Sequence, residues 1–253
     1  MKGYFFVIMK LQRLLSLTRQ AIDAYHMIDS GDHIALGLSG GKDSLTLLYA
    51  LAHLKNYYPS PFQLSAIMVD LGLGNLDLEA TKTLCRQFSV PFQIIPTEIG
   101  KILFDIRKES NPCSLCAKLR KGALNRAAKE LGCNKVAYAH HRDDLIETMM
   151  LSLLYEGRFY AFSPYTYLDR MDLTVIRPLM FVTEPEVIGF QHKYHLPVCK
   201  NPCPMDGHTK REYVKNLTKR LEQENPGAKN RMFRAILDGQ IPGWPPMKQT
   251  KDS

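Results

Sequence analysis

From His33 onward, short apolar runs alternate with longer runs whose apolar residues recur at helical spacing. "HIALGL" (33–38), "QLSAIMVDLG" (63–72), "PFQIIPTEI" (91–99) and "KVAYAH" (135–140) read as strands. Between them "DSLTLLYALAHL" (43–54), residues 76–88 and "CSLCAKLRKGALNRAAKELG" (113–132, closed by Gly132) read as helices, and the helix "DDLIETMMLSLL" (143–154) follows. Strands that alternate with helices in this way pair in parallel through helical crossovers. The expectation is therefore an α/β fold, a doubly wound parallel sheet with helices on both faces. Ligands of such sheets sit beyond the carboxyl ends of the strands, where Ser39, Asp70 and His140 fall.

Other segments flank this unit. Met9 opens an amphipathic helix, "MKLQRLLSLTRQAIDAYHMI", and is a candidate start in place of Met1. Past Tyr155 come a short strand, "VIRPLM", and a helix opened by a Thr183–Glu186 capping box with Pro185 in its first turn. A proline-rich loop, "LPVCKNPCPMDGH", leads to two helices, "TKREYVKNLTKRLEQE" and "NRMFRAIL". The expected division is an N-terminal helix over 1–30, the sheet domain over 31–198, and a cysteine loop with a basic helical tail over 199–253. The apolar stretch Tyr4–Met9 is too short for a secretory signal and no run is long enough to span a bilayer, so no membrane partner and a cytoplasmic location are expected. Thirty-three Lys and Arg against 25 Asp and Glu give a net charge of +8, which favours a polyanionic partner.

Between the first strand and its helix stands Ser39-Gly40-Gly41-Lys42-Asp43-Ser44. Glycines let backbone N–H groups approach an oxyanion, and the helix N-terminus adds about half a positive charge. Lys42 and the Ser39 and Ser44 hydroxyls complete an anion site. Neither the G-x-x-x-x-G-K-[ST] of a Walker loop nor the G-x-G-x-x-G of a Rossmann turn is present. Of six cysteines, Cys113 and Cys116 form a C-x-x-C and Cys199 and Cys203 a C-x-x-x-C. Cys85 and Cys133 sit in apolar patterns and read as small buried hydrophobes. On spacing alone, the other four also suit a Cys₄ zinc knuckle.

The loop resembles the SGGxDS PP-loop of the ATP pyrophosphatase superfamily, whose members bind ATP there, adenylate a carbonyl oxygen and release pyrophosphate. With "NPCSLCAKLRKGAL" and "AHHRDDLIET" the chain resembles the tRNA 2-thiolation branch, the 2-thiocytidine synthetase (TtcA) type and its 2-thiouridine relatives, from Leu11 to Leu237. The resemblance implies an adenine-nucleotide α-hydrolase-like sheet. ATP and Mg²⁺ are expected at Ser39, Gly40, Gly41, Lys42, Asp43 and Ser44, with Asp70 and His140 toward the nucleotide. A [4Fe-4S] cluster with one open iron is expected on Cys113, Cys116 and Cys203, with Cys199 as alternative third ligand and Zn²⁺ as alternative metal. The implied reaction adenylates the C2 oxygen of a pyrimidine, cytidine foremost, and replaces it with sulfur from a cysteine desulfurase or sulfide.

Further residues acquire roles in that frame. Arg120, one helical turn past Cys116, suits a cation facing phosphate or the activated oxygen. Asp143 is expected at the mouth of the site as a magnesium or activated-base contact. Asp144 reads as a carboxylate favoured by the helix dipole. Ala139 stands where thiolation enzymes carry glycine, and "AHHRDD..ET" is also similar to tRNA lysidine synthetases. A lysidine-type enzyme, a small-molecule sulfur enzyme and a nucleotide- or redox-sensing module without turnover are therefore the alternatives, and the C-x-x-C favours thiolation.

The partner expected is tRNA. Lys210, Arg211, Lys215, Lys219 and Arg220, then Arg231 and Arg234, recur at roughly helical spacing, a ridge suited to phosphates. The competing reading is a solvated face balanced by Glu212, Glu222 and Glu224. Single-stranded loops are the RNA parts whose bases can be splayed into a pocket, so a flipped loop pyrimidine is expected. A homodimer is left open.

Overall fold

The computed structural model describes residues 9–74, 77–107, 112–199, 203 and 210–245. The start at Met1 and parts of the cysteine loop lie outside the described residues. A six-stranded sheet in the order β3-β2-β1-β4-β6-β5 forms the centre. Its strands are β1 (His33–Gly37), β2 (Gln63–Asp70), β3 (Phe92–Pro96), β4 (Lys135–Ala137), β5 (Tyr165–Leu168) and β6 (Leu173–Ile176). All run parallel except β5, which turns back antiparallel on β6. The doubly wound parallel sheet expected from the alternation is present.

The helices are α1 (Leu11–Tyr25), α2 (Lys42–Leu54), α3 (Glu79–Gln87), α4 (Ile99–Lys101) running into a π-helical turn (Ile102–Ile106), and α5 (Pro112–Glu130). They continue with α6 (Arg142–Glu156), α7 (Glu184–Lys193), α8 (Lys210–Glu224) and α9 (Ala228–Asp238). Successive residues of a strand face opposite sides, and β1 shows the consequence. Ala35 packs with Ile67, Val136 and the α5 residues Leu124 and Ala128. Ile34 and Leu36 join the larger cluster, to which α1 adds Leu14 and Ile22 and α9 adds Phe233 and Ile236. Both faces are thus covered, as a parallel sheet requires. A Cβ at Gly37 would come 2.9 Å from Leu124 Cδ2, so glycine lets α5 press on the end of β1. Cys85 and Cys133 are buried, and burial pushes each thiol up to about 11.

The β5–β6 hairpin departs from the sequence expectation of one short strand at 175–180. The ladder instead covers Leu173–Ile176 and stops before Pro178, which has no N–H to continue it. β4 is also shorter than expected, because the chain leaves the sheet after Ala137 to enter α6. The expected Thr183–Glu186 capping box is formed.

At the opposite edge, buried Lys135 meets Asp32 at 2.7 Å and Asp29 at 2.8 Å and donates to the Met27 carbonyl at 3.0 Å. Asn134 bridges Asp32 (2.7 Å) and the His33 N–H (2.9 Å). Among the described residues no helix is long and apolar enough to cross a membrane.

Candidate active site at the switch point of the sheet

Crossovers leave β1 toward β2 on one side and reach β4 on the other, so a crevice opens beyond its carboxyl end. The Ser39–Ser44 loop lines it. Gly40 has a φ of +76°, and a Cβ there would stand 3.2 Å from Cys199 Cβ, so both backbone and space call for glycine. The Ser44 hydroxyl donates to the Gly41 carbonyl (2.9 Å) and accepts from the Ser39 N–H (3.1 Å). α2 begins at Gly41 with no side-chain cap, leaving its positive end to meet an anion.

Two adjoining cavities open there. The first, about 420 Å³, is lined by Ser39, Gly41, Ser44, Asp70, Tyr138 and His140. The second, about 340 Å³, is lined by Lys42, Asp43, Arg120 and the thiols of Cys113, Cys116 and Cys203. Asp43, Arg120 and Asp144 border both. The sequence placed nucleotide loop and thiols in one active centre; the fold brings them to one cavity.

Burial holds the Cys116 thiol above the usual range; Arg120 pulls it down, and Cys203 and Cys113 push it up again. The Cys116 sulfur thus feels both of the other thiols that line the cavity. Thiols gathered in this way must shed protons to bind a metal, and a cation then relieves their repulsion. Soft thiolate donors suit iron–sulfur chemistry. Among the described residues no three His, Cys, Asp or Glu side chains are drawn around a single-ion position. Three thiols around one cavity are a donor set that fits an iron–sulfur cluster.

Cys199 does not join them. Its backbone N–H donates to the Gly40 carbonyl (2.9 Å), and its Sγ lies 3.3 Å from the Asp77 carbonyl on the nucleotide side. Of the four cysteines offered for a Cys₄ zinc knuckle, the structure therefore places Cys113, Cys116 and Cys203 on one cavity and Cys199 on the other, against the Ser39–Ser44 loop.

Charges around the thiol cavity are interlocked. Glu184 bridges Lys42 (3.3 Å) and Lys215 (2.7 Å). Burial alone would raise the Glu184 carboxyl, but the two lysines hold it below its ordinary value. The Lys42 ammonium is raised, because Asp43 and Glu184 together outweigh its burial. His141 and Asp144 cap α6 reciprocally, and Asp144 also faces Arg211 at 3.4 Å. Asp43 Oδ1 is buried and accepts no hydrogen bond, with Lys42 Nζ at 3.1 Å and His141 Nε2 at 3.6 Å. Burial, then Asp144, pushes the Glu147 carboxyl up to about 7.

In the first cavity, His140 stacks on Phe162 with centroids 4.4 Å apart, and its Nδ1 accepts from Arg177 Nε at 3.3 Å. Burial and then Arg177 keep the ring neutral, well below its ordinary value. With Nδ1 accepting, the proton is assigned to Nε2, making His140 a neutral donor. Lys121 also lines this cavity; burial first, then Arg177, Arg120 and Arg211, pulls its ammonium down. Such crowding of cations is relieved by an anion.

Asp143 is a correction. It is 3% exposed and borders neither cavity. Its Oδ1 meets Lys229 at 2.6 Å and its Oδ2 accepts the Glu184 N–H at 2.7 Å, so it fastens α6 to α9 and α7. Burial would raise its carboxyl, but these contacts hold it low. Adjacent helical residues diverge by about 100°, and Asp144 holds the cavity face instead.

The basic ridge is also divided. Arg211 and Lys215 turn into the thiol cavity, Lys210 lies over the Tyr155 ring, and Arg220 pairs with Glu224 at 3.8 Å. Lys219 stays on the exposed surface of α8. Sequence reasoning did not select Glu147, Glu184 or His141. Their roles come from chain segments far apart in sequence, and only the helix-start position of Asp144 left a signal.

Residues 11–221 match the PP-loop domain family. The chain belongs to the PP-loop family. Within it the chain stands in the tRNA 2-thiolation branch. It is 37% identical to the tRNA-cytidine(32) 2-sulfurtransferase of Pelobacter propionicus, over 92% of this chain and 90% of that one. It is 34% identical to the protein of the same name from Geobacter sulfurreducens, over 90% of each. Among solved structures, the U34-tRNA thiolase NcsA from Methanococcus maripaludis with its [4Fe-4S] cluster is similar to this PP-loop protein with a TM-score of 0.73. It is 26% identical over 89% of this chain and 78% of that one. An NH3-dependent NAD synthetase from Campylobacter jejuni (TM-score 0.50, 14% identity, 92% of this chain and 95% of that one) shares the fold.

Proposed function

We propose that this PP-loop protein is an ATP-dependent tRNA-cytidine 2-sulfurtransferase. The observation that carries the reading is the cavity in which Lys42 and Asp43 of the loop meet Cys113, Cys116 and Cys203. Activation of an oxygen and delivery of sulfur need neighbouring places, and here they share one. The named relatives, matched over nine-tenths of both chains, supply cytidine in tRNA as substrate.

Gly40, Gly41 and the α2 N-terminus hold the triphosphate through backbone N–H groups, with Ser39, Ser44 and Lys42 adding side-chain donors. Asp70 and the neutral His140 orient the nucleoside in the adjoining cavity. Asp43, whose Oδ1 is buried without a hydrogen bond, is the carboxylate that would hold a Mg²⁺, which would supply charge neutralisation to the phosphates. The C2 oxygen of the flipped base attacks the α-phosphorus, and the bond to pyrophosphate breaks. Arg120, bordering both cavities, steadies the negative charge on the α-phosphate oxygens during adenylation and on the departing AMP. Sulfur then bonds to C2 as the C2–O bond breaks and AMP departs. A [4Fe-4S] cluster on Cys113, Cys116 and Cys203 supplies, when bound, an iron with a free position for sulfide. The sulfur comes, in the cytoplasm, from free sulfide, or from the persulfide of a cysteine desulfurase with a thiol reductant supplying the two electrons that bring it to the sulfide level. Arg211 and Lys215 at the cavity, and Lys210, Lys219 and Arg220 outside it, engage RNA phosphates.

The test is mass spectrometry of nucleosides from tRNA of cells with and without the gene. Loss of 2-thiocytidine on deletion is expected. An unchanged thionucleoside content, or loss of lysidine instead, overturns the proposal.

A further inference from the structure

α6 and α8 pack side by side, and their contact extends from the thiol cavity to an exposed aromatic surface. Arg211 Nη2 reaches the Thr148 hydroxyl at 3.3 Å. One residue earlier, Lys210 Nζ lies 4.6 Å from the centroid of the Tyr155 ring. Thr148 and Tyr155 are two turns apart on one face of α6, about 10 Å along the axis. Tyr155 is 48% exposed, and Tyr213, on the same flank of α8 as Lys210, is 59% exposed.

A single exposed tyrosine needs no explanation. Two of them on adjoining helices, with a lysine over one ring and Arg211, the next residue of α8, lining the thiol cavity, form a surface matched to one chemistry. Unpaired bases offer π faces to aromatic rings while their phosphates seek cations. Against a second copy of the chain, the Lys210 ammonium that covers the Tyr155 ring would meet its own like charge across a two-fold contact.

We infer that Tyr155 and Tyr213, with Lys210, form a stacking platform for an unpaired base flanking the nucleotide that enters the thiol cavity. The inference rests on the tRNA reading above and names the single-stranded part of the RNA as what this surface takes. Neither tyrosine borders the two cavities, so the platform contributes to holding RNA rather than to adenylation or sulfur delivery.

The experiment measures tRNA binding by the purified full chain, using fluorescence anisotropy, for wild type, Tyr155→Ala, Tyr213→Ala, the double variant and the matching Tyr→Phe changes. Each alanine is expected to weaken binding about five- to a hundredfold. The phenylalanine variants are expected to retain affinity within about threefold, because the ring carries the stacking. ATP binding, followed in the same preparations, is expected to stay unchanged and controls for folding. Equal tRNA affinity in wild type and the double alanine variant overturns the platform and leaves the proposed function standing. Phenylalanine variants as weak as alanine, or a dimer lost in the alanine variants at unchanged tRNA affinity, overturn it as well. Absence of tRNA binding by the wild type overturns the function itself.

Discussion

The two ends of the sheet use similar residues to opposite effect. At the amino edge, Lys135 is buried, yet Asp32, Asp29 and the Met27 carbonyl take its protons, and Asn134 completes the set. At the carboxyl edge Asp43 Oδ1 accepts no hydrogen bond and faces the Lys42 ammonium, cations crowd Lys121, and two thiols press on that of Cys116. A polar cluster whose members satisfy each other is a fastening. One that crowds like charges together is suited to take a ligand, because burying them without compensation is costly.

The contrast can be broken by mutation, and the largest effect belongs to the carboxyl edge. Cys203→Ser is expected to lower thionucleoside formation about a thousandfold and to lower iron in anaerobically purified protein, whereas Cys199→Ser keeps its iron. Equal iron loss in both would move Cys199 back among the ligands. At the amino edge Lys135→Ala strands buried Asp32 and is expected to cost about 3 kcal/mol in denaturant unfolding. Adding Asp32→Asn should restore much of this. A loss under 1 kcal/mol would remove the idea that this end is a fastening. Asp43→Asn is expected to slow tRNA-stimulated pyrophosphate release about a hundredfold while leaving the unfolding midpoint nearly unchanged. A large drop in stability would instead make Asp43 a structural group.

Glu147 sharpens the comparison through pH. Its folded value of about 7 lies above its ordinary 4.5, so the folded protein holds the extra proton between them. Stability therefore falls as pH rises through that window. Glu147→Gln removes the penalty, with a gain on the order of 2 kcal/mol at pH 8 and almost none at pH 4. A gain independent of pH would mean that Glu147 does not titrate there. The smallest effect is expected at the exposed Arg220–Glu224 pair, where Glu224→Gln should change stability by no more than about 0.5 kcal/mol.

Much of this architecture was legible beforehand. The parallel sheet follows from apolar runs alternating with helical ones, and the phosphate loop from glycines, lysine and hydroxyls at a strand end. The helices at 112–130 and 184–193 follow from Gly132 and the Thr183–Glu186 box. The β5–β6 hairpin was harder, since each strand has only four residues. Spacing also could not decide between Asp143 and Asp144, because which neighbour faces the cavity depends on how α6 lies against α9. Glu184 left no trace, as its partners Lys42 and Lys215 stand 142 and 31 residues away.

Glu184 also has a consequence for how the centre fills. Its carboxylate rests against the loop lysine as a stand-in anion, so an arriving triphosphate competes with an occupant already in place. On the proposed function, entry of substrate would be an exchange of counter-ions: Lys42 would turn from Glu184 and Asp43 toward phosphate, and Lys215 would remain the close companion of Glu184. A centre built on such an exchange would neither repel itself apart nor cling to every passing anion.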